Sequence, residues 1–277
     1  MLHRLLAVDL DGTLLRPDGE VHAVDREAIV RLRASGVPTT IVTGRMFSGS
    51  RPAAEATGVL GPIACVDGSH IVDVESGESR RCEALLAGHA IELRGVLDRH
   101  GPASFVFAQD TIVHDAAGDA FVPYVRTWSP NVDRVVRVTD HPFWEHEAGI
   151  LAVVALGTEA AILGAVEELR ERLAHAAFVV SFPVGRMPGM HAMLVRAGGA
   201  TKGTAIEWLA AHHGITPAEV VVVGDWLNDV PMFEVAGRSF VMGQAPEHVK
   251  AKATDRLETT ARDGGGVAAA ILRVWGL

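Results

Sequence analysis

The chain opens on an uninterrupted apolar run. "RLLAVD", residues 4–9, has strand length and no polar alternation, as expected of a strand buried on both faces of a parallel sheet. The period then becomes helical. In "AVDREAIVRLRASG", residues 23–36, Ala28, Ile29 and Leu32 share one face and Gly36 supplies a C-terminal stop. "PTTIVTG" (38–44) reads as a second strand ending at Thr43, a helix follows near "RPAAEATG" (51–58), and "GPIACVDG" (61–68) is a third buried strand. This alternation predicts a doubly wound α/β sheet with a ligand crevice beyond the carboxyl ends of its strands.

The rhythm breaks near residue 70. "HIVDVESGESRRCE" (70–83) predicts a hairpin turning at Ser76-Gly77. Beyond it, "LLAGHAIELRGVLDRHG" (85–101) and "EAAILGAVEELRERLAHA" (159–176) read as helices, "ASFVFAQDTIVHD" (103–115) as a hairpin, and "AFVVSF" (177–182) and "HAMLVR" (191–196) as strands. After "GGATKG" (198–203) the first rhythm resumes: helix "TAIEWLAAHHG", strand "EVVVVGD", helix "NDVPMFEVAG", strand "SFVMG". The simplest organisation is a parallel-sheet core in two parts, residues 1–83 and 191–277, around an inserted α+β domain at 84–190. No internal repeat is visible.

Composition narrows the function classes. A chain of 277 residues passes the length at which single cores tend to split into domains. Its net charge of −9, with no basic patch, argues against a nucleic-acid surface, so an anionic substrate must find its positive charge locally. The longest apolar run, "GILAVVALG", is far short of the roughly 20 residues that span a bilayer. The N-terminus lacks the pattern of a signal peptide. The expectation is a cytoplasmic protein without a membrane partner. Cys65 lies in an apolar run, and a pairing with Cys82 is left open. Nothing in the sequence bears on oligomeric state.

Four polar clusters fall at the tips or starts of core elements. Asp9 and Asp11 end the first strand, where two carboxylates so close raise each other's pKa unless a cation or a shared proton relieves them. Thr43 ends the second strand. Lys202 opens the helix that restarts the core, and Asp225, Asn228 and Asp229 follow its last long strand. Carboxylates converging from different strands suit a hard cation such as Mg²⁺, which shares itself with phosphate oxygens. Lys202 and the Thr43 hydroxyl could then hold a phosphoryl group, helped by backbone N–H groups after Asp9. "DHPFWEHEAG" gathers His141, Glu145, His146 and Glu147, but their spacing is no zinc pattern and they read as a solvated surface. His191, with Arg186, Met187 and Met190 in the Gly/Pro-rich stretch 182–191, is a candidate for reading a leaving group.

"DLDGT", "VTGR", "TKG" and "GDWLND" together resemble the four motifs of the haloacid dehalogenase superfamily, and the insertion between the second and third resembles its C2-capped, Cof-type, sugar-phosphatase-like branch. The resemblance implies a Rossmann-like core and a Mg²⁺-dependent phosphatase acting on a small phosphorylated metabolite. Asp9 would be the nucleophile that becomes an aspartyl-phosphate, and Asp11 the general acid and base. Thr43 and Lys202 would hold the phosphoryl oxygens. The metal would be bound by Asp9, Asp11 (through its carbonyl), Asp225, Asn228 and Asp229. The candidate substrate contacts are Gly12, Thr13, Gly44, Arg45, Asp67, Gly68, Arg186 and His191. The sequence departs from relatives at Asp67-Gly68-Ser69, where Asn-Gly-Ala is common, and at Met193-Leu194-Val195, which lacks an acidic residue. Two other outcomes share these motifs: a phosphomutase-type transferase, and a regulator that binds a phosphorylated metabolite without turning it over.

Overall fold

The computed structural model describes residues 3–184 and 187–277. The chain divides into two compact units, one formed by Met1–Arg45, Ser50–Arg81 and Thr201–Leu277, the other by Met46–Gly49 and Cys82–Ala200.

Along the first unit, with the start of α2 and the last residue of β5 counted to the second, β1 (Leu5–Val8) is followed by α1 (Ala23–Ala34), β2 (Thr39–Ile41), α2 (Phe47–Thr57), β3 (Pro62–Cys65), β4 (His70–Asp73) and β5 (Ser79–Cys82). In the second unit come α3 (Ala87–His100), β6 (Ala103–Ala108), β7 (Thr111–His114), α4 (Val122–Val125), β8 (Val132–Arg134), β9 (Ala152–Thr158), α5 (Glu159–Leu173), β10 (Ala177–Pro183) and β11 (Met190–Ala197). The first unit is completed by α6 (Lys202–His212), β12 (Val220–Gly224), α7 (Val230–Val235), β13 (Arg238–Val241), α8 (Glu247–Lys250), β14 (Asp255–Arg256) and α9 (Gly266–Trp275).

The main sheet of the first unit has the order β14-β13-β12-β1-β2 and is parallel throughout. Its central strands are buried at every position, which explains why they show no polar alternation. Leu5, Ala7, Val220 and Val222 face a core shared with Ile206 and Leu209 of α6 and Met232 and Phe233 of α7. The third strand departs from expectation. β3 meets the chain just beyond β2 through the isolated parallel bridge Val42↔Ala64 and pairs in the small sheet β3-β4-β5. The hairpin foreseen at 70–83 is β4 and β5, with Gly77 at φ +70° in its turn.

The second unit carries a six-stranded sheet, β10-β11-β9-β6-β7-β8, antiparallel except where β8 joins β7. Val106, Val153, Met193 and Val195 on one face pack against Leu93 and Val96 of α3 and Ile162, Val166 and Leu169 of α5. The chain returns to the first unit at Thr201, not at 191, because β11 pairs along its length with both β9 and β10 and cannot leave their sheet. The insertion boundary at 83/84 moves only to 81/82. Cys65 and Cys82 are not joined by a disulfide. No helix among the described residues is long and apolar enough to cross a membrane.

Candidate active site

β1 and β12 run side by side in register from Leu5↔Val220 to Val8↔Val223, so the residues that follow them emerge together at the sheet's carboxyl edge. Asp9 is fixed there by its N–H, which donates to the Val223 carbonyl at 3.0 Å. The chain then turns back on itself, with the Leu14 N–H on the Asp9 carbonyl and the Thr13 N–H on that of Leu10, both at 3.2 Å. Gly12 makes the turn possible. Its φ is +79°, and a Cβ there would lie 2.2 Å from Asp225 Oδ2, so no side chain fits. Thr13 is buried, with its hydroxyl lacking a protein partner.

Lys202 enters at the first turn of α6, whose start is fixed by reciprocal hydrogen bonds between Thr201 and Thr204. Its Nζ donates to Asp9 Oδ1 and to Asp229 Oδ1, both at 2.6 Å, and all three side chains are buried. Burial alone would discharge the ammonium, but the carboxylates of Asp229, Asp9 and Asp67 outweigh it and hold the Lys202 pKa above the ordinary lysine value. Asp9 is pushed up by burial, and by Asp229 and Asp225 against the pull of Lys202. The lysine thus neutralises only part of the charge collected here.

Asp229 braces the loop as well as the lysine. Its Oδ2 accepts the backbone N–H groups of Asp225 (2.7 Å) and Trp226 (2.9 Å). Asp225 is held differently. Gln244 Nε2 donates to its Oδ2 at 3.0 Å and to the Gly12 carbonyl at 2.5 Å, while Gln244 Oε1 accepts the Ala261 N–H at 3.1 Å. Asp225 Oδ1 is buried without a protein partner. Burial, and then the neighbouring Asp229, raise the Asp225 pKa to about 7. Asp9, Asp225 and Asp229 each offer an oxygen within 4.8 Å of the others, and they alone form such a triple of ligand-type residues among the described residues. An all-oxygen set with one orphaned carboxylate oxygen and excess negative charge suits a hard divalent cation. The set fits Mg²⁺.

The remaining predicted residues sort into two neighbouring groups. Asp11 is half exposed, and Arg45 grips it with two parallel hydrogen bonds, Nε to Oδ2 at 2.8 Å and Nη2 to Oδ1 at 2.5 Å. Thr43 is fully buried, its Oγ1 accepting the Arg45 N–H at 3.2 Å. Asp67 is buried at φ +53°, with its N–H on the Thr43 carbonyl at 2.9 Å. Asn228 Nδ2 donates to Asp67 Oδ1 at 2.8 Å. A Cβ on Gly44 would sit 3.4 Å from that same Asp67 oxygen. Gly68, at φ +96°, lets the backbone pass so close to Thr201 that a Cβ would meet its carbonyl at 2.4 Å. Acidic substitution after β3 therefore places Asp67 against Asn228 and within the field of Lys202.

His191 lies in the second unit on β11, with Nε2 3.9 Å from Glu159 and Nδ1 buried without a partner. Arg186 lies outside the described residues. In the "DHPFWEHEAG" stretch, His141 and His146 each accept a nearby backbone N–H and Glu145 pairs with Arg94, as a solvated surface would. Sequence reasoning missed Gln244. Its glutamine follows a strand and a glycine in "VMGQA", and only the fold brings it against Gly12 and Asp225.

The family model of the haloacid dehalogenase-like hydrolases matches residues 6–271, nearly the whole chain. The chain belongs to the haloacid dehalogenase-like hydrolases. Members similar to it include pyridoxal phosphate phosphatase YbhA of Escherichia coli, 27% identical over 91% of this chain and 92% of that protein. The 5-amino-6-(5-phospho-D-ribitylamino)uracil phosphatase YcsE of Bacillus subtilis is 27% identical over 94% and 92%. Among solved structures, a haloacid dehalogenase-like hydrolase from Bacteroides thetaiotaomicron superposes with a TM-score of 0.83 at 23% identity, covering 99% of this chain and all of the other. The subclass IIB sugar phosphatase BT4131 superposes with a TM-score of 0.76 at 19% identity, covering 99% of each. The family expected from the four motifs, its parallel-sheet core and its enzymatic character are thereby borne out.

Proposed function

We propose that this hydrolase is a Mg²⁺-dependent phosphatase that cleaves a small phosphomonoester through an aspartyl-phosphate on Asp9. The observation that supports it most is the Lys202 clamp. With Nζ 2.6 Å from Asp9 Oδ1, the lysine fixes one carboxylate oxygen and leaves Oδ2 for phosphorus. Phosphatase relatives of similar length, whose named substrates include pyridoxal phosphate, support the same class.

In this reading Asp9 Oδ2 forms a bond to phosphorus as the ester P–O bond breaks, and Asp11 gives its proton to the departing oxygen. Asp11 then takes a proton from water as that water attacks phosphorus, which releases inorganic phosphate and restores Asp9. The grip of Arg45 on Asp11 holds the acid/base group in one orientation and must loosen for the carboxyl to carry a proton. The Lys202 ammonium and the Thr43 hydroxyl bind the phosphoryl oxygens. Asp9 and Asp225 would hold Mg²⁺, with Asn228 and Asp229 supporting it. The cation would supply charge neutralisation between the carboxylates and the incoming phosphate.

Acid quenching during turnover, borohydride reduction and peptide mass mapping test this directly. The expected result is conversion of Asp9 to homoserine. Unmodified Asp9 during rapid phosphate release would overturn the covalent route.

A further inference from the structure

Of the five tryptophans in the chain, four are engaged. Trp144 is buried, with its indole N–H on the Val138 carbonyl. Trp128 packs against the rings of Phe107 and Tyr124, Trp208 stacks on His212, and the Trp275 indole N–H donates to the His3 carbonyl. Trp226 is the exception. Its side chain stacks on no ring and its indole N–H meets no acceptor among the described residues, and the residue is 54% exposed beside Leu227 at 52%. Leaving an indole in water forfeits the burial that usually keeps tryptophan in a fold, so its place on this loop calls for a ligand.

That place is specific. Trp226 directly follows Asp225, and its backbone is locked by two hydrogen bonds to Asp229, N–H to Oδ2 at 2.9 Å and carbonyl from the Asp229 N–H at 3.0 Å. The same Asp229 side chain holds Lys202. The indole is thus carried on a backbone held at both its N–H and its carbonyl, one residue from Asp225, and is exposed there.

We propose that Trp226 is a specificity residue that stacks on the leaving group, and that the preferred substrates are phosphates of flat aromatic or heteroaromatic alcohols whose ring lies on, or one carbon from, the ester oxygen. The short spacing follows from the indole's position next to Asp225, since a ring on a long flexible tether would pass beyond it. This inference rests on the phosphatase reading for where the phosphate sits. The sugar ring expected from sequence resemblance alone offers only a puckered C–H face, whereas stacking of a flat ring on an aromatic side chain is typically strong enough to change affinity about tenfold.

Calorimetric titration of the Asp9→Asn variant with pyridoxine 5′-phosphate and with glucose 6-phosphate, in Mg²⁺, tests it without turnover. The expected result is binding of the aromatic phosphate about tenfold tighter than the sugar phosphate. Adding Trp226→Ala should remove about that factor for the aromatic ligand, and Trp226→Phe should retain most of it. Equal affinity for the two ligands, or an equal loss for both on Trp226→Ala, overturns the proposal. The two failures are separable. A ring preference that depends on Trp226 upholds the stacking site even if the wild-type enzyme releases no phosphate, an outcome that would overturn only the hydrolytic reading.

Discussion

Gln244 ties together two parts of the site that the chain separates by more than 200 residues, the Gly12 carbonyl and the Asp225 carboxylate. With Oδ2 of Asp225 occupied in this way, Oδ1 is the oxygen left for the proposed cation. Removing such a supporting hydrogen bond typically weakens metal binding by about 10- to 100-fold. Gln244→Ala is therefore expected to raise the Mg²⁺ concentration for half-maximal activity by about tenfold or more, with much of the activity restored at saturating Mg²⁺. A metal titration of phosphate release checks this, and a loss that saturating Mg²⁺ leaves untouched would contradict it. The contrast with Asp9, Lys202 and Asp225 shows what a sequence reveals at this scale. Those residues stand out because crowded carboxylates and a lysine at element ends are costly without a chemical purpose. A glutamine after a strand costs nothing, and its role exists only through contacts made by the fold. Asp67 was legible as a departure, but not its partner Asn228, which depends on the left-handed backbone at φ +53°.

Elements were legible where burial sets their period and less so where tertiary contacts set their ends. β1 and β12 read correctly because strands buried on both faces are apolar throughout. The helix expected from residue 51 begins at Phe47 and carries Pro52 inside it, past the first turn, where the missing N–H leaves the Ser48 carbonyl without its intrahelical donor. The helix expected over 228–237 is shorter, Val230–Val235, because Asp229 spends its side chain on Lys202 and the loop backbone ahead of it. The start of α9 depends on a distant residue. Asp25 of α1, almost fully buried, accepts the N–H groups of Gly265 (2.7 Å) and Ala268 (2.8 Å). Asp25→Ala leaves both donors without their acceptor and is expected to lower unfolding free energy by about 1–2 kcal/mol in urea titrations.

In the second unit, Glu168 of α5 meets Arg99 and His100 of α3 and Arg172 of its own helix at 2.5, 3.0 and 2.8 Å. Arg99 first, then His100 and Arg172, lower its pKa to about 2. A carboxylate depressed in the folded state contributes stability above its unfolded pKa and loses it as pH falls towards the folded value. Glu168→Gln should therefore melt below wild type at pH 6, with the gap narrowing between about pH 4.5 and pH 2. A gap that stays constant over that range would contradict the assignment.

Across the whole molecule, two units with separate cores share one chain, and the residues proposed for phosphoryl chemistry are supplied by the first from both sides of the insertion. The alternating rhythm and its interruption made that plan readable, while the return point at Thr201 required the pairing of β11 to be seen. With a net charge of −9 on the chain, an incoming phosphate needs local positive charge, which the buried Lys202 ammonium and the proposed divalent cation would supply. The most direct measurement is phosphate release from p-nitrophenyl phosphate and pyridoxine 5′-phosphate by the wild-type enzyme in Mg²⁺ and in EDTA, and by Asp9→Asn in Mg²⁺. The account predicts release in Mg²⁺ that disappears in EDTA and in the variant. Release that persists in Asp9→Asn, or that is indifferent to EDTA, would contradict it.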